Sequence, residues 1–200
     1  MAEGEALWCR VGEYQRPSVT FFGGYWDIGS RVMRQVYAEY LPKVDNSTAQ
    51  NVGQNVSYAQ YDQGDLVLDC IRNNYDDFKQ KICLIGHSWG GDTAMQCCRK
   101  LHSEGKKVAL LATLDPVDRF RPLGDHTKPS NVDIWINVYV NYEKAARWGV
   151  PNMLATVGGP WGSCPAASVN FEFQDYGKNA HAFASRMFVQ NVETTLLAIK

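Results

Sequence analysis

Apolar residues fall into two alternating rhythms along this chain. Short unbroken apolar runs, SVTFF (18–22), KICLIG (81–86), KVALLATL (107–114) and VDIWINVYV (132–140), are bounded by Gly or polar residues and have the length of buried strands. Between them, apolar residues recur every three or four positions. In SRVMRQVYAEYLP (30–42) they are Val32, Met33, Val36, Tyr37, Tyr40 and Leu41, with Ser30 placed to cap a helix and Pro42 to end it. VSYAQYD (56–62) has strand composition. DLVLDCIRNNYDDF (65–78) returns to helical spacing through Leu66, Ile71, Tyr75 and Phe78, with Asp62 and Asp65 suited to its cap. DTAMQCCRKLHSEG (92–105) predicts a helix stopped by Gly105. SVNFEF (168–173) reads as a last strand and HAFASRMFVQNVETTLLAI (181–199) as one long closing helix.

Strands alternating with helices of ten to fifteen residues require crossover connections. They predict an α/β fold with a mostly parallel sheet covered on both faces, in one domain spanning 1–200. The pattern dissolves after residue 140. Trp148, Gly149, Pro151, Gly158, Gly159, Pro160, Trp161 and Pro165 have the chemistry of a loop. The apolar residues there, Trp148, Val150, Met153, Leu154 and Trp161, fit a small cap over the edge of the sheet or ordinary packing, and both readings stay open.

Charge narrows the partners. With 20 basic and 21 acidic residues, the net charge of −1 gives no footprint for nucleic acid or an anionic membrane. No apolar run reaches bilayer length, and MAEGEALWCRVGE is acidic where a signal peptide is basic. The expectation is a cytoplasmic protein, or one exported without a signal peptide. Cys9, Cys70, Cys83, Cys97, Cys98 and Cys164 contain no C-x-x-C pair and read as buried thiols, although their even number keeps disulfides open. No metal-ligand spacing, G-x-G-x-x-G or P-loop occurs, so no cofactor or metal is expected.

One stretch carries chemistry. Gly86-His87-Ser88-Trp89-Gly90 fits G-x-S-x-G, with an apolar strand before it and a helix after it. Such a corner forces the serine into a strained conformation and raises its hydroxyl above the sheet. It also leaves the Trp89 N–H at the helix start, able to face a developing oxyanion.

With GHSWGG and this order of elements, the chain resembles the α/β-hydrolases of compact lipase or esterase kind. The resemblance implies a sheet trimmed at its N-terminal side, where ALWCRV would have to supply the family's first antiparallel strands. It also implies an acid and then a histidine following the nucleophile along the chain. Of the four histidines, His87 adjoins Ser88 and should point away from its hydroxyl, and His102 sits near a helix end. His126 belongs to a polar loop. His181, after the last strand, is the expected base, with His126 as the alternative. Asp115, which with Pro116 ends a strand, is the expected acid; Glu143, one strand later, is the alternative, and Asp118 and Asp175 stand behind. Gly24 and Tyr25, in FFGGYWD, are the candidates for a second oxyanion N–H beside that of Trp89; Tyr25 and Trp26 could instead wall the pocket. The resemblance implies hydrolysis of a small-molecule or lipid ester through an acyl-enzyme. A thioesterase, amidase or acyltransferase would use the same residues, and a hydrolase-shaped binding module would carry them idle. Acyl length and any protein partner are left open.

Overall fold

The computed structural model describes residues 16–25, 27–44, 54–74, 80–119, 124–146 and 148–200. Within them the order is β1 (Ser18–Gly23), α1 (Asp27–Ser30), α2 (Val32–Val44), β2 (Asn55–Gln60), α3 (Gly64–Asn74), β3 (Ile82–His87) and α4 (Trp89–Ser103). There follow β4 (Val108–Leu114), β5 (Val132–Tyr139), α5 (Val150–Gly158), β6 (Val169–Glu172), a 3-10 turn (Ala180–Ala182), α6 (Ala184–Asn191) and α7 (Glu193–Leu197). The six strands form one sheet in the order β2-β1-β3-β4-β5-β6. Every pairing is parallel, as expected of strands joined by crossovers. ALWCRV lies outside the described residues, as does Trp26.

Side chains alternate across a strand, so adjacent apolar residues feed opposite cores. Phe21 and Ile85 point into a core covered by α2 and α6, whereas Phe22 and Leu84 point into one covered by α3 and α4. This is why the runs are apolar at every position rather than every second one. In the first core, Phe21, Tyr40 and Phe188 pack with ring centroids 5.5 Å apart. Each such buried ring contributes about 1.5–3 kcal/mol.

Several local expectations change. Ser30 does not cap α2. Asp27 does so from the preceding turn, its carboxylate accepting from the Met33 N–H (2.8 Å) and the Arg34 N–H (3.2 Å). Pro42 lies inside the last turn of α2 instead of ending it. Asp65 pairs with Lys100 at 2.6 Å across to α4. The closing helix is broken at Val192 into α6 and α7. The segment read as loop contains α5, with Pro151 in its first turn and Gly159 as a left-handed C-cap. Cys83, Cys97, Cys98 and Cys164 are free and buried, but Cys70 is disulfide-bonded and only half-buried.

Register decides what meets at the carboxyl edge. His87 pairs with Leu114, so the residues that follow, Ser88 and Asp115, emerge side by side. The chain leaves β1 in one direction to β2 and returns in the other to β3, which opens a crevice between the ends of β1 and β3.

Candidate active site

Ser88 occupies the corner between β3 and α4 with φ 55° and ψ −129°. That left-handed backbone costs an L-residue roughly 1–3 kcal/mol. The turn is tight because the strand runs directly into the helix. A Cβ on Gly86 would strike the Gly90 carbonyl, and one on Gly90 would strike the Phe22 carbonyl. The two glycines therefore let β1, β3 and α4 close on one another. The Ser88 hydroxyl makes no capping hydrogen bond to α4.

Asp115 holds a second left-handed conformation (φ 42°) at the end of β4. Its carboxylate is 1% exposed and is met by three donors. The Val140 N–H donates to Oδ1 at 3.0 Å, the Tyr142 hydroxyl donates to Oδ2, and His181 Nδ1 lies 2.6 Å from Oδ2. A buried carboxylate needs such donors to satisfy its lone pairs. With Nδ1 donating to Asp115, Nε2 of His181 is left as the acceptor. Tyr142 also lies 3.4 Å from His181 Nδ1. Burial, then the Asp115 charge, pushes its phenol well above the usual tyrosine range.

His181 sits in the 3-10 turn and is 7% exposed. His87 is also buried, and its Nε2 donates to the His181 carbonyl at 2.7 Å. Burial, followed by the neighbouring His181 ring, lowers the His87 pKa to about 3. It is therefore a neutral donor at ordinary pH.

Ser88 and His181 line one cavity of about 300 Å³ together with Gly24, Tyr25, His87 and Trp89; its far wall is apolar, from Val117, Val150, Leu154 and Val157. The backbone at Gly24 comes close to the serine, since a Cβ there would lie 2.7 Å from Ser88 Cβ. Tyr25 is mostly exposed and packs on Trp89 with centroids 4.6 Å apart. The arrangement offers a hydroxyl, an imidazole oriented by a carboxylate, and the start of a 15-residue helix beside one apolar hollow.

The remaining candidates lie elsewhere. Glu143 is exposed on the turn after β5, its N–H bonded to Asn141 Oδ1; from that turn it is Tyr142 that reaches Asp115. His126 pairs with Asp118 at 3.0 Å and stacks on Trp161. His102 is exposed near Ser130, and Asp175 pairs with Arg186 at 2.7 Å. Sequence reasoning missed Tyr142 and Asn152, whose Oδ1 accepts from the His181 N–H at 3.0 Å. Neither belongs to a motif. Among the described residues no cluster of His, Cys, Asp and Glu is arranged to hold a metal ion, and no helix is long and apolar enough to cross a membrane.

No known protein family profile matches the chain, and no curated protein does. Solved structures do. An α/β-superfamily hydrolase from Xanthomonas campestris pv. campestris aligns over 88% of this chain and 97% of its own, with a TM-score of 0.51 at 14% identity. An α/β serine hydrolase homologue from Coxiella burnetii aligns over 93% of this chain and 86% of its own, with a TM-score of 0.51 at 16% identity. At such identities the likeness is one of architecture. The chain has the α/β-hydrolase fold.

Proposed function

We propose that this protein is a serine hydrolase that cleaves carboxylic esters by two-step acyl transfer. The observation that carries the reading is the 2.6 Å bond between His181 Nδ1 and Asp115 Oδ2, at a histidine lining the same cavity as Ser88. In the first step His181 Nε2 takes the Ser88 proton as Oγ bonds to the ester carbonyl carbon. The carbonyl oxygen becomes an oxyanion facing the N–H groups of Trp89 and of Gly24 or Tyr25. Collapse breaks the bond to the alkoxy oxygen, which leaves with the proton from Nε2. Water then repeats the sequence on the acyl-enzyme and releases the acid. Asp115 holds the ring in the useful tautomer and stabilises its cation. The apolar wall of Val117, Val150, Leu154 and Val157 supports an apolar acyl or alkyl group, and 300 Å³ holds about ten water-sized volumes, enough for a modest chain.

Labelling with a fluorophosphonate probe tests this directly. The wild type and His126→Ala should become covalently labelled, and Ser88→Ala and His181→Ala should not. Labelling that survives Ser88→Ala, or a folded wild type that never labels, would overturn the reading.

A further inference from the structure

Two buried polar side chains around the base have no part in the mechanism above. Asn152 is fully buried in the first turn of α5, on a helix whose other residues are mostly apolar. Besides receiving the His181 N–H, it donates from Nδ2 to the carbonyls of Ala146 (2.7 Å) and Gly177 (2.9 Å). All the capacity of its amide nitrogen, and one acceptor site on its oxygen, is used on main-chain groups of Ala146, Gly177 and His181. His87 holds the other side of the same residue, donating to its carbonyl and lying with its ring centroid 4.6 Å from that of His181. Both main-chain polar groups of His181 are thus bound by buried side chains from separate elements.

The helix that carries Asn152 is itself fixed at both ends. At its start, Gly149 lies so close to the Lys178 carbonyl that a Cβ would overlap it. At its end, Gly158 packs on Val117 in the same way, and Val117 bridges to Pro160 just beyond. The Asp118 N–H also donates to the Gly159 carbonyl at 3.1 Å. Between these anchors, α5 presents Val150, Leu154 and Val157 to the cavity.

We propose that Asn152 and His87 are positioning residues that clamp the backbone of His181, so that α5 is a fixed wall that sets the base and not a lid that moves away from it. The inference rests on His181 being the base. It makes the apolar wall and the base one rigid unit, in which a displacement of α5 is a displacement of the imidazole.

The test compares wild type with Asn152→Ala, His87→Leu and His87→Gln, using a short, soluble acetyl ester and the ¹⁵N chemical shifts of the His181 ring. Asn152→Ala and His87→Leu should lower kcat by roughly 10- to 100-fold, as misplacement of a reacting group does, with KM within about twofold. The ring should pass from a single Nδ1–H tautomer to a mixture. His87→Gln should recover most of the loss, because its carboxamide N–H can donate to the same carbonyl. If Asn152→Ala does not fold, the His87 pair decides. An unchanged tautomer in the folded loss-of-contact variants would overturn the clamp whatever kcat does, as would a His87→Gln no better than His87→Leu. If the wild type hydrolyses no ester, the proposed function fails, while the ring shifts still test the clamp.

Discussion

His87 makes stability at mild acidity calculable from one side chain. The ring is buried, and its pKa falls from 6.5 to about 3 on folding. Because the folded value is the lower one, the unfolded chain binds more protons in the window between them. Stability is therefore complete above about pH 6.5 and falls with pH down to about 3. At pH 5 the medium is about 1.5 units below the unfolded value, and at about 1.4 kcal/mol per unit the loss is about 2 kcal/mol. The folded ring is still neutral there, so this figure depends almost wholly on the unfolded value. Urea unfolding of wild type and His87→Gln at pH 7.5 and 5 isolates it, since the other titrating groups are common to both. The wild type should lose about 2 kcal/mol more than the variant over that interval. Equal losses would mean that the ring is not held neutral in the fold, and the account of its desolvation by burial would go with it.

Asp115→Asn should lower kcat about a thousandfold or more, because an amide in its place no longer stabilises the cation of His181. Glu143→Gln should leave turnover unchanged, and steady-state kinetics of the pair separates the two carboxylates. Gly90→Ala places a methyl against the Phe22 carbonyl. It should cost about 3 kcal/mol, a fall in Tm of roughly 6–12 °C for a chain of this size, read by thermal unfolding.

Much of this architecture is legible in the sequence because buried parallel strands leave a strong mark. An unbroken run such as KVALLATL has few other uses, and it becomes β4 almost to the residue. Ser88 shows itself through two glycines whose spacing is steric. Asp115 and His181 are legible through their places after strands, and the structure brings their side chains into contact. The errors have a common origin in punctuation. Pro151 and Gly159 read as loop residues, yet they are the start and stop signals of α5, a helix too short for its apolar spacing to compete with them. Pro42 is tolerated within the final turn of α2, and the cap of that helix comes from Asp27, six positions before the first N–H that it binds. Tyr142 and Asn152 escape because their importance is purely three-dimensional. Tyr142 reaches Asp115 and Asn152 reaches His181 from positions distant in the chain, and nothing in the neighbouring residues announces it.

The backbone conformations of Ser88 and Asp115 bear on how the protein would respond to engineering. Both side chains stand on left-handed residues that are not glycine, and each carries a conformational cost of roughly 1–3 kcal/mol. A library sorted only for thermostability would be drawn toward glycine at position 88, which relieves the backbone but removes the hydroxyl on which the proposed chemistry depends. Loss of the Asp115 carboxylate, by contrast, would strand its three buried donors. Directed evolution of this scaffold should therefore hold positions 88 and 115 constant and seek its gains on the periphery.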